Sequence, residues 1–233
     1  MGNLYLIPST LGAEDVSGFL PEGTLTIIRS LKYFIVEDAK TARAFLKSCS
    51  IPTPQAELDI RVLDKHNPDQ NLNELLHGLS TGNDVGVLSE AGCPGVADPG
   101  AKIVAEAHRR GYAVKPLTGP SSLLLALMAS GLEGQRFCFH GYLPIDKGER
   151  MKKIQRLEEY SRGRKETQLF IEAPYRNNQL MADLLQYLSG ETRLCIAADI
   201  TTAEESIRTL KVKDWKKQKP ELHKHPVVFL IGE

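Results

Sequence analysis

The sequence predicts an α/β protein whose first half forms a mostly parallel sheet. Short apolar runs that suit buried strands alternate with helical segments along the 233 residues. Such alternation requires right-handed crossovers between strands, and these crossovers produce parallel sheets. Turn residues interrupt the alternation at residues 118–122 and predict a boundary there, with α/β domains over residues 1–118 and 119–233.

The elements of the first half follow one another as strand and helix. Pro21 stands in a first helical turn, where its missing N–H costs nothing, and Gly111 stops the last helix of this half. The predicted strands are residues 4–8, 33–36, 58–63, 85–88 and 112–117. The predicted helices are residues 21–31, 41–49, 72–79 and 103–110.

The second half continues in the same manner after an apolar helix at residues 123–130. Residues 209–215 fit neither a helix nor a strand pattern clearly. The further predicted strands are residues 137–143, 168–173, 194–200 and 226–232. The further predicted helices are residues 148–160 and 178–188.

Composition places the chain among globular proteins. The apolar content of 42%, the charged content of 25% and the formal net charge of zero are ordinary, and gross electrostatics do not indicate a nucleic-acid binder. No strongly apolar run is long enough to span a bilayer, and no signal peptide precedes the first strand, so we expect a cytoplasmic protein. The four cysteines form no CxxC pair, which argues against a zinc site and fits a reducing compartment.

The segment 85–100, VGVLSEAGCPGVADPG, is the clearest candidate for a ligand-binding loop. A buried strand is followed by Gly92, Gly95 and Gly100, which allow a ligand to lie against bare peptide groups at the carboxyl end of the strand. Neither a dinucleotide fingerprint nor a P-loop is present. The alternative interpretation is a tight turn followed by a helix cap at Asp98.

Motifs at five predicted strand ends carry a resemblance to a known family. They are IPSTLG at 7–12, VEDAK at 36–40, SEAGCPGVADPG at 89–100, TGPSS at 118–122 and EAPYR at 172–176. In this order and spacing they resemble the class III S-adenosylmethionine-dependent methyltransferases, the tetrapyrrole methylase superfamily. The pattern is most similar to its branch of small-subunit (16S) ribosomal RNA cytidine 2′-O-methyltransferases.

The resemblance covers essentially the whole chain and carries expectations about fold and cofactor. It implies two α/β domains with a mostly parallel first sheet, a mixed second sheet, S-adenosylmethionine in the cleft between them, and a homodimer. A sulfonium ligand needs nearby carbonyl oxygens and small residues, with hydroxyls for its polar ends. By the resemblance, the cofactor-binding residues are Pro8, Ser89, Ala91, Gly92, Ser121, Ser122, Tyr142, Ala173, Ala197 and Pro226.

Methyl transfer to a ribose hydroxyl requires a proton acceptor but no metal, because the donor is already activated. Among the carboxylates at predicted strand ends we favour Glu172 and Asp38 as catalytic residues. A helix N-cap or an ion pair is the alternative for each. The expected substrate-binding residues are Lys40, Arg150 and Arg176, although Arg176 equally fits an ion pair with Glu172.

Departures from the family pattern leave open which molecule accepts the methyl group. Lys40 stands where the pattern has Arg, Tyr175 where it has His, and residues 198–202 lack two basic residues of the pattern. Three hypotheses follow: a ribosomal RNA methyltransferase, a methyltransferase of a tetrapyrrole or other small molecule, and a non-catalytic protein that binds cofactor or RNA.

Two basic clusters in the second half suit either RNA contact or a solvated surface. One contains Lys211, Lys213, Lys216, Lys217, Lys219 and Lys224 with Trp215, His223 and His225. The other contains Arg150, Lys152, Lys153, Arg156, Arg162, Arg164 and Lys165.

Overall fold

A computed structural model describes residues 2–13, 15–64, 67, 70–98 and 100–233. The chain separates into two units, Met1–Ser121 and Ser122–Glu233. The division falls inside the turn at residues 118–122 that interrupts the strand and helix alternation.

The first unit is built on a five-stranded parallel sheet. Its strands are β1 (Asn3–Ile7), β2 (Tyr33–Val36), β3 (Asp59–Val62), β4 (Val85–Leu88) and β5 (Ala113–Pro116). The strand order is β3-β2-β4-β1-β5, and every pairing is parallel. The parallel sheet expected from the alternation of elements is therefore confirmed.

Helices on both faces of this sheet bury alternate strand residues. They are α1 (Glu22–Ser30), α2 (Ala39–Ser48), α3 (Leu72–Leu75), α4 (His77–Ser80) and α5 (Ala101–Arg109), with a 3-10 turn at Gln55–Glu57. Phe34 packs in one core cluster and the adjacent Ile35 in the other. Both faces of β2 are thus covered, as its uninterrupted apolar sequence requires.

Two details differ from the predicted helices of this unit. The single helix expected at residues 72–79 is divided at Leu76, whose φ of −88° and ψ of 11° interrupt the helical geometry. The helix predicted at residues 103–110 begins two residues earlier, at Ala101. Asp98 is not its cap, because the Asp98 carboxylate accepts hydrogen bonds from the amides of Gly95 and Gly100.

The second unit contains a mixed five-stranded sheet, which confirms the expectation from the resemblance. Its strands are β6 (Phe137–Tyr142), β7 (Thr167–Ile171), β8 (Arg193–Ala198), β9 (Ser206–Lys211) and β10 (Val227–Gly232). The order is β6-β7-β10-β8-β9, with β6 and β7 parallel and the other pairs antiparallel.

The helices of this unit are α6 (Ser122–Ser130), α7 (Lys147–Arg164), α8 (Asn177–Tyr187) and α9 (Val212–Trp215). The ambiguous residues 209–215 form the end of β9 and the whole of α9. Phe170 and Phe229, stacked with ring centroids 5.9 Å apart, pack in a core that also contains Leu180 and Leu184 of α8. No helix in the described part of the chain is long and apolar enough to cross a membrane.

Candidate functional site

Three loops of the first unit meet at the carboxyl ends of β1, β4 and β5. Parallel pairing of β1 with both neighbours places these ends side by side. The Ser9 amide donates to the Gly92 carbonyl at 2.9 Å, and the Cys93 thiol lies 3.4 Å from the Pro120 carbonyl. The motifs IPSTLG, SEAGCPGVADPG and TGPSS therefore form one structural feature, with Pro99 of the second motif outside the described residues.

Serine hydroxyls hold these loops together. The Ser9 hydroxyl donates to the Ser89 carbonyl at 3.1 Å, and the Ser89 hydroxyl donates to the Gly92 carbonyl at 3.0 Å. Both side chains are buried. Because its proton is used within the loop, Ser89 can offer a ligand only a lone pair.

Glycines allow the close approach of the loops. Gly92 has a φ of +75°, and a Cβ there would lie 3.3 Å from the Leu11 side chain and 3.9 Å from the Pro120 carbonyl oxygen. A Cβ on Gly119 would lie 2.2 Å from the ring of Pro8. A side chain at position 119 would push the loops apart, whereas at position 92 the main cost of a side chain is the positive φ.

A cleft of about 230 Å³ in the first unit borders the same loops. Ser9 and Ser89 line it together with the carboxylates of Glu37, Asp38 and Glu90 and the ring of Phe45. Its remaining lining residues are Thr10, Ala13, Val36, Thr41, Ala42, Ala44, Ser48 and Leu88. The sequence analysis did not single out Ser9, although its place directly after the first strand was a usable signal.

Asp38 caps helix α2 at this cleft. Its carboxylate accepts hydrogen bonds from the Thr41 amide and hydroxyl, both at 2.7 Å, and these bonds hold its pKa below the usual value. Asp38 is therefore the N-cap of α2, as the alternative interpretation predicted. Its catalytic role stays a prediction. Lys40 is exposed in the first turn of the same helix.

Four residues expected to bind the cofactor meet at one edge of the second sheet. Antiparallel pairing places the start of β10 beside the ends of β7 and β8, and Tyr142 of β6 pairs with Ile171 of β7. The carbonyl of Pro226 accepts from the Asp199 amide at 3.0 Å. The residues gathered at this edge are Tyr142, Ala173, Ala197 and Pro226.

Glu172 is buried at the same edge and forms an ion pair. Its carboxylate accepts from Arg176 and from the Ala173 amide, both at 2.7 Å. The Arg176 Nε and the Asn177 Oδ1 are buried, and neither has a hydrogen-bond partner among the described residues. Buried polar atoms usually have a partner, so these two atoms have unused hydrogen-bonding capacity in this structure.

Comparison with known proteins decides the family. The family model described as Tetrapyrrole (Corrin/Porphyrin) Methylases matches residues 19–215. The chain belongs to this family. The resemblance read from the five loop motifs and the expectation of a methyltransferase are thereby confirmed.

Relatives of this methylase carry one shared name, "Ribosomal RNA small subunit methyltransferase I". The protein of Pseudomonas aeruginosa is 30% identical over 218 residues, which cover 92% of this chain and 73% of the relative. That of Bacillus subtilis is 31% identical over 209 residues, which cover 89% and 67%. That of Vibrio cholerae is 29% identical over 231 residues, which cover 98% and 76%.

Arg150 of the methylase is buried and engaged within the second unit. Its guanidinium forms a 2.7 Å ion pair with the buried Asp183 of α8 and donates to the carbonyls of Pro144 and Ile145. These contacts join the loop after β6 to two helices. The substrate contact expected of Arg150 stays a prediction, with few donors left to make it.

The structure shows which residues of the lysine cluster around Trp215 are buried or paired with carboxylates. Trp215 is 3% exposed and its indole N–H donates to the Leu194 carbonyl at 2.8 Å, so it is a core residue and not a stacking platform. Lys211 and Lys213 pair with Glu191, and Lys217 pairs with Asp214. Three of the six lysines of this cluster therefore have a carboxylate partner, and two of those three share Glu191.

Proposed function

We propose that this methylase transfers a methyl group from S-adenosylmethionine to small-subunit ribosomal RNA, at the ribose 2′-oxygen of a cytidine. The main support is the name shared by relatives about 30% identical over most of the chain. The cytidine and the ribose oxygen rest on the loop motifs of the sequence.

The proposed cofactor residues in the first unit are Pro8, Ser89, Ala91, Gly92 and Ser121, and those in the second are Ser122, Tyr142, Ala173, Ala197 and Pro226. The glycine at position 92 and the unpartnered atoms next to Ala173 fit such a ligand, since they supply room and hydrogen-bonding capacity. When bound, S-adenosylmethionine supplies a methyl group activated by a positive sulfur. Loop carbonyl oxygens would favour that charge.

The ribose hydroxyl has to lose its proton during transfer, and the chain offers two candidate acceptors. Asp38 is a weak base, because the Thr41 bonds that lower its pKa stabilise the charged form. Glu172 is held in position at Oε1 by Arg176 and by the Ala173 amide, and we keep it as the second candidate for a positioned base. We propose Lys40, Arg150 and Arg176 as substrate-binding residues.

The decisive experiment uses labelled donor and small ribosomal subunits from a strain that lacks the modification. We expect label in the RNA, at one linkage that becomes resistant to alkaline cleavage because its 2′-oxygen is methylated. Isothermal calorimetry with S-adenosylmethionine is the accompanying binding test. Heat of binding without any label in RNA would contradict RNA as the methyl acceptor but would still support S-adenosylmethionine as the donor.

A second candidate function is methylation of a tetrapyrrole or another small molecule. The family description itself names corrin and porphyrin methylases, and Lys40, Tyr175 and residues 198–202 depart from the RNA-directed pattern. A porphyrinoid extract incubated with labelled donor distinguishes the two acceptors, because this alternative places label only in the porphyrinoid.

We further propose that the protein works in the cytoplasm as a homodimer. Light scattering after size exclusion tests the assembly. A mass near twice the 25.8 kDa of one chain is expected, and a mass of one chain at micromolar concentration would contradict it.

A further inference from the structure

A basic concavity lies at the carboxyl end of α7. It has a volume of about 520 Å³. Its lining residues are Arg136, Arg162, Gly163, Arg164, Lys165 and Glu166, so four cations face one carboxylate. We refer to these six residues as the basic concavity.

Backbone geometry builds the concavity from two segments. Helix α7 ends at Arg164, because Lys165 adopts a left-handed conformation with a φ of 51° and its amide donates to the Ser161 carbonyl. The Thr167 amide donates to the Arg136 carbonyl at 2.9 Å, which holds the residue before β6 beside the start of β7. Arg136 is thereby brought to the end of the helix.

The positive charges of the concavity exceed their local partners. Arg162 pairs with Glu158 at 3.2 Å, and the Glu166 carboxylate accepts from Gln168. Among the described residues the side chains of Arg136 and Lys165 have neither an ion pair nor a hydrogen bond. Arg162 and Arg164, in the last turn of α7, complement the negative end of the helix dipole. The charges of Arg136 and Lys165 are therefore in excess.

An aromatic ring extends the same surface. The Arg164 guanidinium lies 4.1 Å from the centroid of the Tyr160 ring, and that of Arg156 lies 5.3 Å from it. The ring holds both planar cations in place at the surface, which reduces the entropy lost when they bind an anion.

The concavity lies at the opposite end of the second sheet from Glu172, a proposed proton acceptor. It is found at the amino ends of β6 and β7, whereas Glu172 and Arg176 follow the carboxyl end of β7. Five residues of β7 at about 3.3 Å each separate the two ends by roughly 16 Å. A ligand that contacts both ends has to be at least this long, and the positive charge of the concavity favours a polyanion.

We propose that the basic concavity binds the phosphodiester backbone of the RNA substrate, away from the site of methyl transfer. This inference rests on the proposed function. The guanidinium groups match phosphate geometry, and the contact is independent of base sequence. It adds affinity for a long RNA without contributing to the reaction at the ribose.

The test compares two triple variants of the full chain. Arg136→Gln/Arg164→Gln/Lys165→Asn removes three exposed charges of the concavity, and Asn tolerates the left-handed conformation at position 165. Lys216→Gln/Lys217→Gln/Lys219→Gln removes the same number from exposed lysines elsewhere. Thermal melting verifies that both variants are folded.

For the concavity variant we expect binding of a small-subunit RNA fragment to weaken about tenfold at moderate salt. The slope of log affinity against log salt should fall by about 2, since each lost phosphate contact removes roughly 0.7 to 0.9. KM for RNA should rise while kcat is unchanged. The lysine variant should show a much smaller effect on all three quantities.

Other outcomes overturn the inference in distinguishable ways. Equal losses in both variants would show that only net charge matters, and no loss in the concavity variant would reject the contact while wild-type RNA methylation still supports the proposed function. If the wild-type protein neither binds nor methylates RNA, the proposed function is wrong, and the inference about the concavity is wrong with it. Weakened binding of a carboxylated porphyrin instead of RNA would assign the concavity to the other acceptor.

Discussion

Gly92 connects loop conformation to ligand binding at the residue scale. Its φ of +75° equals that of Gly111, where a Cβ would meet no atom within 4 Å. Both Gly→Ala variants therefore strain the backbone by about 1 kcal/mol or more. We expect both to lower stability in chemical denaturation, but only Gly92→Ala to weaken S-adenosylmethionine binding in calorimetry. Equal binding by the two variants would exclude Gly92 from the site.

Asp38 can be tested for capping and catalysis with two substitutions. Asn is as good an N-cap as Asp, whereas Ala removes the acceptor for the Thr41 amide. Asp38→Ala should lower the melting temperature by about 4 °C, and Asp38→Asn should leave it nearly unchanged. If Asp38 is a base, both variants lose methyl transfer. Full activity of the folded Asp38→Asn variant would leave only the capping role.

At the scale of elements, a buried ion pair joins two helices of the second unit. Arg150 of α7 and Asp183 of α8 form a 2.7 Å pair whose side chains are 10% and 2% exposed. Removing one partner strands a buried charge, so Asp183→Leu should cost about 3 to 5 kcal/mol in urea unfolding. Arg150→Met/Asp183→Leu should recover most of that loss. A double variant as unstable as the single one would show that packing dominates.

His140 links β6 to β7 and makes the stability of the unit depend on pH. Its Nε2 lies 2.7 Å from the Gln168 Oε1, and Lys153 faces its Nδ1 at 3.4 Å. Burial lowers the pKa of His140, the Gln168 hydrogen bond opposes that shift, and Lys153 adds to it. The neutral imidazole therefore belongs to the folded state.

The sign of the resulting pH dependence follows from this lowered pKa. Below about pH 6.5 the unfolded state takes up a proton that the folded state resists, so stability is full above that pH and declines below it. We expect the free energy of unfolding to fall between pH 7.5 and pH 5 more for wild type than for His140→Gln. Parallel pH profiles would contradict this assignment.

The distribution of thiols provides a test at the scale of the whole molecule. All four cysteines are free, with Cys49 and Cys195 buried and Cys93 and Cys138 half-buried. Burial raises the pKa of Cys49 to about 11 and also raises that of Cys93 and Cys195. We expect only Cys93 and Cys138 to be alkylated in the native protein at pH 8, by peptide mass spectrometry, and all four in guanidinium.

The same labelling reports on the proposed cofactor loop. Cys93 follows Gly92 and its thiol lies 3.4 Å from the Pro120 carbonyl, between two loops assigned to the cofactor. S-adenosylmethionine should slow the alkylation of Cys93 and leave that of Cys138 unchanged. Protection of both thiols, or of neither, would argue against binding at these loops.

Strand and helix positions were largely predictable because they depend on local patterns. Strand β4 was predicted at its observed bounds, whereas α7 extends to Arg164, past its predicted end at residue 160. Lys165 supplies the left-handed terminus there, a conformation that Gly usually adopts and that a Lys does not signal. The division of residues 72–79 at Leu76 likewise had no turn residue to mark it.

The amino-acid sequence by itself determined the order of strands and helices, the glycine-containing turns after them and the motifs that mark the family, because periodicity and turn chemistry are local properties. Tertiary structure alone decided which groups meet. Long-range contacts turned the Ser9 hydroxyl toward the Ser89 carbonyl, buried Trp215 and placed Arg136 beside Lys165. Hydrogen-bond partners and surplus charge depend on those contacts, and no local pattern encodes them.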